Sequence, residues 1–221
     1  MVNQESINKS EQAYDVLEQM IIFRELKPGS MVSEKQLAEN LGLGRTPVRE
    51  ALQRLSYERM VEIHPRRGIQ IPVIALETQL KILEVRREVE ALCLGFATER
   101  ADEREKRNML QLADELEACA KRGDERAYAE RLKQIHTDLV RVAGNEFVQL
   151  AMAPLQGLSR RFWFAYKDGV ADLQQAAHLH AQNLRQVASG NKAAAIAASH
   201  QLNDYLTKMA YASINRKISD A

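Results

Sequence analysis

The sequence predicts an all-α protein with one small β-wing, divided into two domains. Three observations carry that prediction. Ala, Leu, Glu and Arg abound, while the 221 residues hold only five Pro, ten Gly and 5% aromatic side chains, a composition that favours helix. From about residue 77 onward, apolar residues recur at i, i+3, i+4 and i+7 with few breaks, the spacing of one helix face. Only around residues 61–71 does the pattern change to alternation, which is the strand period.

Taken in order, residues 1–10 are polar and are expected to form a loose arm. A helix follows with Ala13, Leu17, Met20 and Ile21 along one side, until Leu26-Lys27-Pro28-Gly29 stops it. Ser33 and Gln36 give the reciprocal capping box of a second helix, with Val32 and Leu37 at the positions of a hydrophobic staple. Leu37, Ala38 and Leu41 mark its apolar stripe, and Gly42 with Gly44 ends it. A third helix is predicted to start with Thr46 as cap and Pro47 in the first helical position, where a missing N–H costs nothing. Its inward face is Val48, Ala51, Leu52 and Leu55. Arg49 and Gln53 point the other way, and Arg45 sits at the helix mouth. Val61 and Ile63, then Ile69 and Ile71, alternate with polar residues on either side of the bend His64-Pro65-Arg66-Arg67-Gly68.

Two short helices joined by a glycine turn, the second exposing Arg and Gln, meet the requirements of a major-groove reader. Arg can fork onto the two acceptors of guanine, and Gln onto adenine. Arg66 and Arg67 at a tight hairpin tip suit a wing lying along phosphates or dipping into the minor groove.

Beyond Pro72 the chain reads as helix after helix. Leu80, Leu83, Val85, Val89, Leu92, Leu94 and Phe96 carry the first, which ends near Arg100. Met109, Leu112, Leu116 and Cys119 face inward on the second, and Gly123 breaks it. Asp124 caps the third, whose seam is Tyr128, Leu132, Ile135, Leu139 and Val142. Gly144-Asn145 is a stop followed by a cap, and the fourth helix runs past Pro154, where a kink is expected, to Asp168-Gly169. Leu173, Ala177, His180, Leu184 and Val187 line the fifth; Ala195, Ala198, Leu202, Tyr205 and Met209 line the sixth. Six helices with short connections make an antiparallel bundle.

Charge and cysteine usage bound the function. Net charge is +1, and residues 1–75 hold ten Lys/Arg against ten Asp/Glu. Any DNA-binding field must therefore be local, made by Lys35, Arg45, Arg49, Arg66 and Arg67 on one face. Cys93 and Cys119 lie in apolar helical patterns and read as buried thiols of a reducing compartment. The N-terminus has no apolar leader, and no run reaches the roughly 18 apolar residues of a membrane span. The expectation is a cytoplasmic protein. No phosphate-binding glycine loop, Cys-x-x-Cys or nucleophile motif occurs, so no catalytic residue is assigned and enzyme activity is not expected.

The stretch LKPGSMVSEKQLAENLGLGRTPVREALQRL, followed by VEIHPRRG, closely resembles the winged helix-turn-helix of the GntR family of bacterial transcription regulators. The match covers residues 12–73. It implies DNA contact by Lys35, Arg45, Thr46, Arg49 and the wing Gly68; the face of the third helix independently supports Arg45 and Arg49. EVRREVEALCLGFATERA, IHTDLVRVAGN and the spacing of the last two helices resemble the FCD-type ligand-binding domain of the FadR-like subgroup, over about residues 77–215. That implies a six- or seven-helix bundle which binds a small effector, often a carboxylic acid, and dimerises the protein. In many members one Asp and three His in the bundle hold a divalent metal.

The histidines here depart from that pattern. The family's Asp falls on Leu132 and its last His on Leu202, leaving His136 and His180, whereas zinc normally takes at least three protein ligands. A register slipped by two would instead enlist His178 and His200, but His178 and His180 point about 200° apart on a helix and His180 holds the apolar seam. His136 and His180 are then core histidines, lining of a metal-free effector pocket, or a residual metal site. Arg86 could fork onto an effector carboxylate or pair with Glu90 one turn on. Trp163 with Phe162 and Phe164 could wall a pocket or form plain core.

The reading is a homodimeric regulator of two domains: a winged helix-turn-helix over residues 1–75 and a helical effector-binding and dimerisation bundle over 76–221. It would bind a pseudo-palindromic double-stranded operator and no membrane. A metal-sensing regulator and a non-regulatory helical scaffold are the alternatives.

Overall fold

The computed structural model describes residues 4–168 and 171–219, with side chains for 9–168 and 171–213. Among these the chain forms nine helices and one three-stranded sheet. In order they are α1 (Gln4–Ile22), β1 (Met31–Val32), α2 (Glu34–Leu41), α3 (Arg45–Tyr57), β2 (Glu62–His64), β3 (Gly68–Gln70), α4 (Leu76–Arg100), α5 (Glu103–Arg122), α6 (Glu125–Ala143), α7 (Glu146–Tyr166), α8 (Leu173–Ala188) and α9 (Lys192–Ser219). The predicted all-α fold with a small wing is the observed one.

The chain divides into two compact units. The first is Met1–Ala75 together with Gly157–Ala165, and the second is Leu76–Gln156 together with Tyr166–Ala221. Helix α7 thus contributes to both.

In the first unit α1 packs along α3, burying Ala13, Leu17 and Ile21 together with Val48, Leu52 and Leu55. Helix α1 starts at Gln4, not after a loose arm. The stretch from Gln4 to Ser10 holds no Gly or Pro to break a helix, and residues 1–3 lie outside the described residues. Ser33 Oγ accepts from the Gln36 N–H at 3.1 Å, as expected. The reciprocal half of the capping box is absent, because the Gln36 side chain instead accepts from the Ser33 hydroxyl at 3.4 Å. Gly42, at φ +64°, closes α2 in the left-handed conformation.

Helix α3 begins at Arg45 with extended Gly44 as its N-cap, not at Thr46. Pro47 still lies within the first turn, where no backbone N–H is needed, so the chain can start one residue earlier without losing a hydrogen bond.

The sheet has the order β1-β3-β2, antiparallel throughout. Strand β1 was not predicted; two residues are too short for a periodic signal. Val61 and Ile69 are buried as expected, but Ile63 is 43% exposed. It stands opposite Ile69 in the register, on an edge strand with no neighbour beyond it.

The end of α7 completes this unit. Arg160 forms a buried ion pair with Glu18. Arg161 donates to the carbonyls of Met60, at 3.3 Å, and Pro72. The Phe164 and Phe23 rings lie 5.1 Å apart.

In the second unit α4 packs on α9 and α5 on α8, with α6 against α4 and α5. Side-chain caps set the helix starts: Asp102 with Glu105 in a full capping box, then Asp124, Asn145 and Asp172. Gly123 and Gly144 end α5 and α6 at φ +70° and +56°. The seams predicted for α5 and α6 are buried. On α4 the prediction fails at two residues, since Val85 and Leu92 are 52% and 48% exposed. Gly169, read as the end of the fourth bundle helix, lies outside the described residues; α7 runs through Pro154 to Tyr166.

Removing one partner of a buried ion pair strands the other charge, at a cost of about 3–5 kcal/mol. Arg160→Met is expected to lower stability by about that amount, read as a drop in the urea midpoint at unchanged slope. A loss under about 1 kcal/mol would mean that Glu18 regains water and that the pair does not hold α7 in this unit.

Candidate nucleic-acid interface and helical core

The third helix presents its residues as its sequence divides them. Val48, Ala51, Leu52 and Leu55 are buried, whereas Arg45, Thr46, Arg49 and Gln53 are exposed and Pro47 is half-buried. Lys35 on α2 is exposed and lies 3.7 Å from Glu39 one turn on.

Arg49 is not idle. Its Nε and Nη2 donate to the two carboxylate oxygens of Glu34, at 3.0 and 2.7 Å. A guanidinium has five N–H donors, so this fork uses one edge and leaves the Nη1/Nη2 edge for a second fork. Glu34, at the start of α2, therefore holds Arg49 in one orientation with donors to spare. The hydrogen bond from Arg49 also keeps the Glu34 carboxyl below its ordinary range. Sequence reasoning missed Glu34, because fifteen residues of separation carry no periodic signal.

At the wing, Arg67 N–H donates to the His64 carbonyl at 3.0 Å, closing a turn with Pro65 second and Arg66 third. Arg66 is in the left-handed region at φ +63°, a position that turns of this kind usually give to Gly or Asn. A non-glycine residue there costs roughly 1–2 kcal/mol. Charge at the tip is kept at a local energetic loss, as happens at functional sites. Gly68 has φ +112°, and a Cβ there would lie 2.7 Å from the Val32 carbonyl oxygen. Its glycine is therefore required by the close approach of β1, quite apart from any contact with DNA.

Within the second unit the structure places a polar core. Arg86 forks onto Glu90, with Nε–Oε2 at 2.8 Å and Nη2–Oε1 at 3.2 Å, and both side chains are 2% exposed. His136 and His180 are buried with ring centroids 5.7 Å apart. Leu132 and Leu202, at the other two family ligand positions, are buried aliphatic side chains. Asn183, one turn after His180, is buried too, and its Oδ1 has no hydrogen-bond partner.

The slipped register fails. His178 is exposed and its Nδ1 lies 3.1 Å from Glu117, while His200 is half-buried on α9 beside Leu92 and Ile196. Among the described residues no group of three His, Cys, Asp or Glu could hold a metal ion. Trp163 is buried with its ring edge-on to Phe164 at 5.0 Å. It belongs to the first unit, so the second unit does not bring it together with Arg86, His136 and His180.

Cys93 and Cys119 are buried free thiols, and burial pushes the Cys93 thiol up to about 12. No helix among the described residues is long and apolar enough to cross a membrane.

Two family descriptions match the chain: "Bacterial regulatory proteins, gntR family" over residues 9–71, and "FCD domain" over residues 81–204. It is 30% identical over 129 residues to the Uncharacterized HTH-type transcriptional regulator YdhC of Bacillus subtilis, covering 58% of each protein. It is 31% identical over 99 residues to the HTH-type transcriptional regulator McbR of Escherichia coli, covering 45% of each. The chain thus spans about half the length of these two relatives. A longer match, 28% identical over 186 residues, covers 82% of this chain and 85% of the Nta operon transcriptional regulator of Aminobacter aminovorans. Among solved structures, E. coli McbR/YncC has the same fold, with a TM-score of 0.76 at 18% identity over 96% of this chain and 98% of that one.

The Glu34–Arg49 fork makes a pH prediction. A carboxyl with a depressed folded-state pKa keeps its partner above the ordinary carboxylate range and loses it as pH falls through the depressed value. The Arg49 Hε resonance should therefore stay protected through the pH at which an ordinary Glu is half protonated, and collapse only below it. Loss of protection at the ordinary pH, or survival in Glu34→Ala, which has no acceptor, would show that the fork does not exist in solution.

Proposed function

The chain belongs to the gntR family of bacterial regulatory proteins, in the branch that carries an FCD domain, and we propose that it regulates transcription as a homodimer on a pseudo-palindromic operator. The observation that carries this reading is the placement of Lys35, Arg45, Arg49, Gln53, Arg66 and Arg67 as exposed side chains of one compact unit, with Arg49 oriented by Glu34. In a chain of net charge +1, local grouping of this kind supplies the field for phosphate contact.

Each residue takes a role from its setting. Arg49 and Gln53 read base edges in the major groove, Arg45 and Thr46 anchor the start of α3, and Lys35, Arg66 and Arg67 meet phosphates. Pro47 and Gly68 shape the helix start and the wing. Two copies set their readers one helical turn apart on DNA, which gives the operator its twofold symmetry.

The second unit is proposed to bind a small carboxylate-type metabolite and to bias the dimer between two DNA-binding states. What supports this is core polarity beyond the needs of packing: Arg86, Glu90, His136, His180 and Asn183 are all buried there. An incoming carboxylate could exchange with Glu90 on the Arg86 fork or accept from the imidazoles. The 5.7 Å approach of His136 to His180 is also the one observation that favours metal sensing. Equilibrium dialysis with zinc or nickel separates the two, because a tight stoichiometric site would make the metal the signal.

Selection of genomic fragments by the full chain at physiological salt tests the regulator reading. The chain should enrich a short symmetric site, and the Arg45→Ala, Arg49→Ala double variant should not. Equal enrichment by both, or none by either, would make the protein a scaffold rather than a base reader. On the selected site, Glu34→Gln should erode the preference over random DNA, approaching the roughly 1–3 kcal/mol of a lost bidentate base contact. Arg66→Ala should instead weaken all DNA alike and flatten the salt slope by about one unit. Equal losses on specific and random DNA for both variants would refute this division of roles.

A further inference from the structure

The outward face of α3 carries one acid among its polar side chains. At about 100° per residue, Glu50 and Gln53 lie within about 40° of the direction of Thr46. Arg49 is about 60° round from Thr46, on the side away from Glu50. All four are exposed, and they stand opposite Val48, Ala51, Leu52 and Leu55, which are buried. A major groove that admits Arg49 and Gln53 therefore admits Glu50 with them.

Nothing neutralises that carboxylate. Arg54 sits one turn on, in the favourable order for an i,i+4 ion pair, but it is drawn away. Its Nε donates to Glu58 at 3.2 Å and its guanidinium lies over the Tyr14 ring. Arg49, the adjacent residue, is forked onto Glu34. Between Glu34 and Glu62 every other carboxylate has a partner: Glu34 in that fork, Glu39 with Lys35, Glu58 with Tyr14 and Arg54, and Glu62 beside His64 at 3.6 Å. Among the described residues the Glu50 side chain makes no hydrogen bond or ion pair.

An unpaired negative charge on a surface that meets phosphates opposes binding to any DNA. Only a donor on a base edge offsets it. Cytosine offers its N4 amine with no acceptor beside it. Adenine sets N7 next to its N6 amine, and guanine and thymine present no donor in the major groove.

We propose that Glu50 is a specificity-determining residue, which accepts from one cytosine in each half-site and rejects duplexes that offer no amine there. The proposal rests on the regulator reading, since it needs α3 in the major groove. Neighbouring Cα atoms are about 3.8 Å apart and stacked base pairs about 3.4 Å. The cytosine therefore belongs within about two base pairs of the base that Arg49 takes.

Selection from randomised duplexes tests this, with the full chain as wild type, Glu50→Gln and Glu50→Ala. The wild type should prefer cytosine at one position per half-site by roughly fivefold or more. A glutamine forks onto adenine N6 and N7, so Glu50→Gln should move that position from cytosine to adenine. Glu50→Ala should leave it without preference, and the other positions should not change in either variant. On random DNA both variants should bind about fivefold tighter than wild type, because a like charge has gone. Their melts by circular dichroism should match the wild type, since the lost carboxylate touches nothing. A merely structural role would instead lower the melt and weaken binding to all DNA. A cytosine preference kept by both variants, or weaker binding of both to random DNA, would overturn the proposal. A wild type that selects a symmetric site with no position dependent on Glu50 refutes this role alone. One that selects no site refutes the regulator reading and this role together.

Discussion

Glu58, one residue past the end of α3, accepts a hydrogen bond from the Tyr14 hydroxyl at 2.6 Å and another from Arg54 Nε at 3.2 Å, at a site only 4% exposed. A buried carboxylate needs its partners, so the three groups are kept in one geometry. The Arg54 guanidinium also lies over the Tyr14 ring, 3.8 Å from its centre. Burial first, then the neighbouring carboxylates of Glu18 and Glu58, hold the Tyr14 phenol well above its ordinary range, so it remains a donor at every pH of interest. Aliphatic packing between α1 and α3 sets their distance but tolerates some rotation. The carboxylate removes that freedom, and with it fixes which residues of α3 face outward.

The second unit carries polar groups in a different way. Arg86 and Glu90 lie one turn apart on the same helix, so their pairing asks nothing of the tertiary fold. Replacing a buried pair by aliphatic side chains is often neutral or stabilising, and a bundle of this size could be built without one. His136, His180 and Asn183 add to the same expense. Meanwhile Leu132 and Leu202 fill the positions where a metal would need oxygen or nitrogen.

Much of this was legible in the sequence, and the parts that were not have physical causes. Gly42, Gly123 and Gly144 end helices in the left-handed conformation and were read correctly, because only glycine adopts it freely. Arg24 and Arg59 do the same work at φ +62° and +59° after α1 and α3, and arginine gives no such signal. Gly44 caps α3 without a side chain, so the more conspicuous Thr46 was taken for the cap. The exposed faces of α2, α3 and the wing followed from periodicity. The Glu34–Arg49 fork and the Glu18–Arg160 pair did not, being fifteen and 142 residues apart. Val85 and Leu92 were read as core because helical spacing registers an apolar face without saying what covers it.

The division of α7 between units bears on how the protein is made. Arg160, Arg161 and Phe164 belong to the first unit but follow Ala75 by some ninety residues. At roughly 5–20 residues per second, a ribosome needs about 5–18 seconds more to deliver them. Throughout that interval α1 and α3 are complete in sequence, yet Glu18 has no guanidinium to meet. The DNA-reading unit is therefore finished late, after most of the helices that follow it have been synthesised. A nascent chain halted before residue 160 would carry α1 and α3 without the Arg160 partner of Glu18.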